Sequence, residues 1–209
     1  MDETHEKIIS PKQWFDEVYD DEGGIARVQS DDKWNFIDVE SGEYITNEWF
    51  RQAQNFKNGF AGVEIYDNDG KSYWNYIDKQ GNHLSDEKYS MVFEFQQYNN
   101  CLFGRVYFSD LKRYNIIDGK GDYMMNILVD VAYGLHDGMI MVGKSIVVNS
   151  ESHLRYNFLN VEKRKLISDE WFNKAEDFKD EYAIVGTWDG TERAIDKNGN
   201  FISLKNREL

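Results

Sequence analysis

The sequence has few residues that break or crosslink a chain: its 209 residues include one proline and one cysteine. The single cysteine, Cys101, cannot form an internal disulfide, which favours a reducing compartment such as the cytoplasm. No run of about 18 apolar residues is present, so no helix is expected to span a membrane. The amino-terminal segment is acidic and lacks an apolar core, and therefore does not predict a signal peptide.

Positive charge is also scarce, because 24 Lys and Arg stand against 38 Asp and Glu, giving a formal net charge of −14. A chain of this charge is repelled by nucleic acid and by anionic membranes, so we expect neither as a partner. Hydrophobic residues make up 41% of the sequence and aromatic residues 15%, which excludes a disordered chain and indicates a packed core.

A five-residue pattern recurs along the chain: an aromatic residue, Asn, an apolar residue, Ile or Leu, and then Asp or Asn. Its copies are Trp34–Asp38, Trp74–Asp78, Tyr114–Asp118, Tyr156–Asn160 and the degenerate Glu192–Asp196. The aliphatic anchors are Ile37, Ile77, Ile117, Leu159 and Ile195, at steps of 40, 40, 42 and 36 residues. This regular spacing predicts five copies of one structural module.

Two further signals accompany each copy of the pattern. A pair of small or apolar residues of the form A-x-V precedes each anchor: Ala26/Val28, Ala61/Val63, Gly104/Val106, Ile140/Val142 and Ala183/Val185. Twelve residues after each of the first four anchors comes a large apolar residue: Trp49, Tyr89, Val129 and Trp171. Trp14 heads the first module in the same role. The distance between pair and anchor varies from 9 to 17 residues, which predicts a loop that tolerates insertion.

These signals define one domain over residues 14–205. Its predicted modules are 14–47, 48–87, 88–127, 128–169 and 170–205. A polar amino-terminal cap, residues 1–13, and a carboxy-terminal tail, residues 206–209, are expected to flank the domain.

The second module illustrates the expected local structure. Phe60–Tyr66 is rich in β-branched and aromatic residues and predicts a strand, and Asp67–Gly70 is a turn sequence. The anchor strand Ser72–Asp78, a tight turn at Lys79–Asn82 and a short third strand follow. Each module is therefore predicted to be a three-stranded antiparallel meander.

Several residues have predicted structural roles. The Asp that ends each anchor strand is expected to accept backbone N–H groups from the turn after it. The Trp or Tyr that begins each anchor strand is expected to lie in the core. Trp49, Ala53 and Phe56 have helical spacing, but a helical turn and an extended segment both fit the connector. The fourth turn, Glu162–Lys165, lacks glycine and should be longer or strained.

Together, the anchor pattern, the glycine-containing turn, the connector and the A-x-V strand resemble the bacterial WG-repeat. Asn35, Asn75, Asn115 and Asn157 stand where that family usually has Gly. The resemblance implies an all-β fold of five tandem modules of roughly 40 residues, stacked as an open superhelical array; a closed five-bladed β-propeller is the alternative. It also implies a non-enzymatic interaction surface with no catalytic residues to carry over.

No motif in the sequence indicates a metal site, a cofactor or a catalytic centre. The four histidines are far apart, and nucleophile elbows, phosphate loops and zinc motifs are absent. Tyr66 and Trp188 are expected at hairpin tips, and they are the candidate partner-binding residues. We expect a scaffold that binds a protein or peptide with a basic face. The alternatives are a carbohydrate-binding module that uses exposed aromatic residues and a glycoside hydrolase-like enzyme with an acidic cleft.

Overall fold

The computed structural model describes residues 14–20 and 23–203, and within these ranges the regular secondary structure is entirely β-strand. The predicted amino-terminal cap and carboxy-terminal tail lie outside the described residues. The strands are β1 (Glu17–Asp20), β2 (Ile25–Ser30), β3 (Lys33–Asp38), β4 (Gln52–Ala53), β5 (Phe60–Tyr66), β6 (Ser72–Asp78), β7 (Met91–Val92), β8 (Gln96–Tyr98), β9 (Cys101–Phe108), β10 (Arg113–Asp118), β11 (Val131–His136), β12 (Met139–Val148), β13 (Glu151–Asn160), β14 (Lys165–Leu166), β15 (Lys174–Ala175), β16 (Tyr182–Gly186), β17 (Glu192–Asp196) and β18 (Phe201–Ile202). The all-β prediction is confirmed.

The strands form five small antiparallel sheets, and none of them closes into a barrel within the described residues. The strand orders are β1-β2-β3, β4-β5-β6, β11-β12-β13-β14 and β15-β16-β17-β18, and β9 pairs with β10 in the third module. The short third strand of each meander is present as β14 and β18 in the last two modules. In the first three it is reduced to one bridge beside the anchor, made by Tyr44, His83 or Tyr123.

The chain divides into two compact units, Met1–Gln96 and Gln97–Leu209. Within each unit, neighbouring modules share a hydrophobic core. In the first unit, Phe36 of one module and Val63 of the next belong to the same buried cluster. In the second unit, Phe158 of the fourth module and Ile195 of the fifth belong to one buried cluster. A three-stranded sheet cannot bury both of its faces alone, so stacking on a neighbour completes each core.

The repeated apolar pattern fixes the core of every module. In the second module the register pairs Ala61 with Ile77 and Val63 with Asn75, so the A-x-V pair lies directly beside the anchor strand. All five anchors are completely buried: Ile37, Ile77, Ile117, Leu159 and Ile195. The five residues in the Val position are also completely buried: Val28, Val63, Val106, Val142 and Val185. The five copies of the pattern therefore occupy equivalent environments, as predicted.

The connector between modules is extended rather than helical. Phe50 exchanges two backbone hydrogen bonds of 2.8 Å with Trp34 of the first module, and the next residue, Arg51, donates to Glu64 of the second. Strand β4 then continues along β5. The connector thus links two sheets through its backbone, and a helical turn would leave those strand edges unpaired.

In two connectors the large apolar residue found twelve residues after the anchor is not the buried one. Phe50 and Phe172 are buried and pair with the anchor strand, whereas Trp49 and Trp171 are only half-buried. Adjacent strand residues point to opposite faces, so an error of one residue exchanges a buried for an exposed side chain. Trp14 does not pack in this role either, because 95% of its surface is exposed.

The aromatic residues that begin the anchor strands are likewise half-buried rather than in the core. Trp34 and Trp74 both have intermediate exposure, whereas Phe36 and Tyr76, two residues further on, are fully buried. The phenol of Tyr76 donates a 2.5 Å hydrogen bond to the Phe93 carbonyl, which satisfies its polar end. The prediction therefore chose the correct face of the strand, but on that face the third residue of the pattern, and not the first, is the one that is fully buried.

The segment of variable length between the A-x-V pair and the anchor was predicted to be a loop, but in the fourth module it is a longer hairpin. Strands β12 and β13 each contain ten residues and pair continuously from Met139–Asn160 to Val148–Glu151. The extra residues extend the pairing of β12 with β13 symmetrically, so the added residues pair across the hairpin and the register is kept.

The turns after the anchor strands follow the predicted chemistry. The carboxylate of Asp78 accepts the backbone N–H groups of Gln80 and Asn82, both at 2.9 Å. The Asp38, Asp118 and Asp196 carboxylates do the same in their modules. In the fourth turn, Arg164 adopts φ 53°, in the left-handed region. That turn is one residue longer than the turn after Asp78, so both expectations for it are confirmed.

A buried Asn, which the sequence analysis did not interpret, supports the loop after each of the first four anchor strands. Asn75 donates from Nδ2 to the carbonyls of Ser85 (2.6 Å) and Glu87 (3.1 Å), and its Oδ1 accepts the N–H of Tyr76 (2.7 Å). Asn157 makes the same three bonds in its module, whereas Asn35 and Asn115 each donate to one loop carbonyl and accept one N–H. The fifth module has Arg193 at this place. The Asn thus fixes the path of the chain from one module to the next.

Candidate functional site

The first unit contains an open groove of about 580 Å³ that includes one of the two candidate residues. We call it the Tyr66 groove. Its walls come from the connector that enters the second module, from strands β5 and β6, and from the loop after the anchor strand. It is lined by Glu48, Trp49, Ile65, Tyr66, Tyr73, Asn75, His83, Ser85 and Asp86.

Tyr66 is the last residue of β5, and 59% of its surface is exposed. The turn after it is rigid, because the Asp67 carboxylate accepts the N–H groups of Asp69 and Lys71. The same carboxylate accepts a 3.1 Å hydrogen bond from Lys88, which, with the turn N–H groups, holds the pKa of Asp67 below its usual value. Tyr66 is therefore exposed beside a turn that side-chain hydrogen bonds hold in place.

Aromatic rings and carboxylates dominate the lining of the Tyr66 groove. Trp49, Tyr66 and Tyr73 supply three rings, whereas Glu48 and Asp86 supply two carboxylates. His83 Nε2 lies 2.9 Å from Glu48 Oε2, so the imidazole holds this carboxylate at the groove wall. The lining includes no Lys or Arg. These groups suit a cation that carries apolar surface.

Two cations lie beside the groove, and both already have partners. Lys88 Nζ lies 4.9 Å from the centroid of the Tyr73 ring and 3.1 Å from Asp67 Oδ2. Arg51 Nη1 contacts both carboxylate oxygens of Glu64, at 2.8 and 2.7 Å, and Glu64 is buried. This pairing raises the pKa of Arg51 above its ordinary value and neutralises its charge locally.

Trp188 lies in the second unit, in the turn between β16 and β17, and 51% of its surface is exposed. The guanidinium of Arg155 stacks over its ring at 4.6 Å from the centroid. Asp189 accepts hydrogen bonds from Thr187 and Thr191, which fix this turn and lower the pKa of the Asp189 carboxyl.

Tyr66 and Trp188 do not occupy equivalent places in their modules. Asp67 and Thr187 are the equivalent residues, since each donates its N–H to the residue four positions further on. Tyr66 precedes this position and Trp188 follows it. Each lies three residues after the Val of its A-x-V pair, Val63 or Val185, but the two hairpins differ in length, so this shared distance does not make them equivalent. The two side chains also belong to different units.

Sequence reasoning missed the other aromatic residues of the groove. Trp49 was identified only as a large apolar residue of the connector, and Tyr73 received no role. The half-buried state of Trp49 follows from its alternation with the buried Phe50, whereas Tyr73 and Trp74 are both half-buried near the start of β6. The alternation was visible in the sequence, but the choice of face required the core to be known.

In the part of the chain that the structure describes, no group of three or more His, Cys, Asp or Glu side chains is arranged to hold a metal ion. No described helix is long and apolar enough to cross a bilayer.

A model of the family described as "WG containing repeat" matches residues 1–34. No curated protein matches the sequence. Among solved structures, Hsv2 of Kluyveromyces lactis is 11% identical with a TM-score of 0.37, over 86% of this chain and 59% of that protein. The amino-terminal domain of Nup159 is 9% identical with a TM-score of 0.37, over 91% and 62%. The WD40 β-propeller domain of Doa1 is 9% identical with a TM-score of 0.29, over 89% and 63%. This chain thus spans about three fifths of the length of these structures.

Proposed function

We propose that this chain is a WG-repeat protein and a non-enzymatic scaffold that binds a basic segment of a protein partner in the Tyr66 groove. The observation that carries the proposal is the composition of that groove: three aromatic rings, two carboxylates and no Lys or Arg. The family match over residues 1–34 and the repeated modules support the assignment as a repeat protein.

A Lys or Arg side chain is the group that this lining accommodates best. Its cation is attracted to the faces of Tyr and Trp rings, by about 0.5–2 kcal/mol for each well-placed pair. Trp49 and Tyr66 are the rings proposed for this contact, since Lys88 already lies over Tyr73. Its aliphatic stem covers apolar surface, and the carboxylates of Glu48 and Asp86 accept its N–H groups. A volume of about 580 Å³ accommodates a few side chains of an extended peptide.

The charge of the whole chain supports the same partner. A net charge of −14 attracts a basic segment from beyond contact distance and accelerates association at low salt. Added salt screens this attraction, since the Debye length falls from about 10 Å at 0.1 M to about 3 Å at 1 M. Affinity for a basic partner is therefore expected to fall as ionic strength rises.

The test uses a fluorescein-labelled peptide of alternating Lys and Leu, with binding followed by fluorescence anisotropy. Replacement of an aromatic contact residue is expected to weaken binding about tenfold or more, so Tyr66→Ala should show a loss of this size. Leu111→Ala is the matched control, because Leu111 is also an apolar hairpin residue with a similar exposure of 57%. Its affinity should equal that of the unmodified chain.

Equal affinity of Tyr66→Ala and the unmodified chain would overturn the proposal, and so would binding that is insensitive to salt. A neutral oligosaccharide that binds, and loses affinity in Tyr66→Ala while the basic peptide does not bind, would instead establish the carbohydrate-binding alternative. Hydrolysis of that oligosaccharide, abolished by Glu48→Gln, would establish the enzyme alternative.

A further inference from the structure

The second unit contains a larger open groove, of about 1240 Å³, whose chemistry is opposite to that of the Tyr66 groove. We call it the basic groove. The loop after the third anchor strand and the loop after the fourth form its two sides. Its lining combines basic residues with half-buried apolar ones, among them Lys144, Lys165, Leu128 and Trp171.

The balance of charge in this lining is the reverse of that in the chain. The lining contains three cations, Lys144, Arg164 and Lys165, and one carboxylate, Asp169; of the cations, Arg164 is paired with Asp118 outside the lining. The whole sequence, in contrast, has 38 acidic and 24 basic residues. Within the described residues, neither Lys144 nor Lys165 forms an ion pair or a side-chain hydrogen bond. Both ammonium groups are therefore available to a ligand.

The geometry around Lys144 concentrates positive charge further. Lys144 lies directly opposite Arg155 in the pairing of β12 and β13, so both side chains emerge on the same face of the sheet. Like charges at opposed positions of a sheet repel each other. An anionic ligand beside Lys144 would relieve this repulsion, which gives the ligand an additional source of affinity.

The other side of the groove is built on a strained turn. Arg164 occupies a left-handed conformation with φ 53°, although this turn position in the second module is Gly81. Its guanidinium lies 2.5 Å from the Asp118 carboxylate of the preceding module. The pair holds the turn in place and sets the next residue, Lys165, at the edge of the groove.

Apolar side chains cover the space between these cations. Ile127, Leu128, Leu166, Ile167 and Trp171 are all half-buried and line the groove. Small-molecule sites occupy about 300–1,000 Å³, and a groove larger than that range fits an extended chain with apolar side chains. A small anion would leave most of the apolar surface uncovered.

We infer that the basic groove binds an acidic peptide segment with interspersed apolar residues, its carboxylates at Lys144 and Lys165 and its apolar side chains against Trp171 and the adjacent aliphatic residues. Charge complementarity selects the acidic residues and the apolar floor selects the others. This site goes beyond the proposed function, because it lies in the other unit and takes a ligand of opposite charge. With both sites occupied, the chain would connect a basic and an acidic partner.

The test uses a labelled peptide of alternating Glu and Leu, measured by fluorescence anisotropy on the full chain. In Lys144→Glu combined with Lys165→Glu, two attractions to the carboxylates of the peptide become repulsions. The affinity should therefore fall at least about tenfold. Lys120→Glu combined with Lys179→Glu is the matched control, since both residues are exposed in the same unit and outside the groove. It makes the same change of net charge and should reduce affinity far less.

The neutral pair Lys144→Gln and Lys165→Gln should give an intermediate loss, and an unchanged urea midpoint would show that these variants fold. Equal losses in the paired Glu variant and in the doubly substituted control would overturn the inference, because the effect would then be one of net charge. Binding of labelled polyuridylate that is tighter than binding of the peptide, and that is lost in the paired variant, would also overturn it and assign the groove to another anion. Binding of the Lys and Leu peptide at the Tyr66 groove is independent of these outcomes.

Discussion

Replacing Asn75 by Ala tests the inference that the buried Asn residues fix the chain between modules. The substitution removes three hydrogen bonds, to the carbonyls of Ser85 and Glu87 and from the N–H of Tyr76. A typical intramolecular hydrogen bond contributes about 1 kcal/mol net, so the free energy of unfolding should fall by about 3 kcal/mol. Because Asn75 is buried, water cannot readily replace these bonds.

Asn35→Ala is the matched comparison within the same unit. Asn35 donates to one carbonyl, that of Thr46, and accepts one N–H, that of Phe36, so about 2 kcal/mol should be lost. Asn75→Asp should be more harmful than Asn75→Ala at neutral pH, since it places a carboxylate beside two carbonyls. Urea unfolding followed by tryptophan fluorescence measures these losses from the shift of the midpoint.

The expected order of stability is therefore the unmodified chain, Asn35→Ala, Asn75→Ala and then Asn75→Asp. Asn75→Asp should recover part of its stability as the pH falls, because a protonated carboxyl can again donate one hydrogen bond. A loss of less than about 1 kcal/mol in Asn75→Ala would refute the reasoning, because the three bonds would then contribute almost nothing to the link between modules.

Two further predictions concern a turn and an ion pair. Gly81→Ala should lower the urea midpoint far more than Gly70→Ala: both have positive φ, but an added Cβ would lie 2.4 Å from the Ile45 carbonyl oxygen only at Gly81. The hydrogen bond from Lys197 lowers the pKa of Asp137 in the folded protein. The ion pair therefore contributes to the free energy of unfolding above the unfolded pKa of Asp, about 4, and this contribution is lost as the pH falls through the lower pKa of the folded state. Asp137→Asn should therefore reduce the difference in unfolding free energy between neutral pH and pH of about 3. An unreduced difference would contradict this assignment.

The fold could be predicted from the sequence to a large extent because its signals are local and repeated. Ile37 and its four counterparts recur at a nearly constant period, and all are buried in equivalent places. The Asp78 turn was also predictable, because an Asx side chain followed by a Gly favours one backbone path. Such preferences act over a few residues and do not depend on the rest of the molecule.

The candidate site could be predicted only in part. Tyr66 was identified as an exposed aromatic residue, but the contribution of Trp49 and Tyr73 to the same groove was not. These residues meet because the connector and the second module pack together, and no local pattern specifies that distance. The basic groove was missed for the same reason, since Lys144 and Lys165 are distant in sequence.

By itself, the sequence determined the number of modules, their β-strands and the chemistry of their turns, because alternation and turn preferences are properties of short segments. Tertiary structure alone decided that Phe50 and not Trp49 enters the core, because adjacent strand side chains face opposite ways and only packing selects the buried face. It also gave Asn75 its role, since the carbonyls that this amide binds approach it only when the chain has folded back.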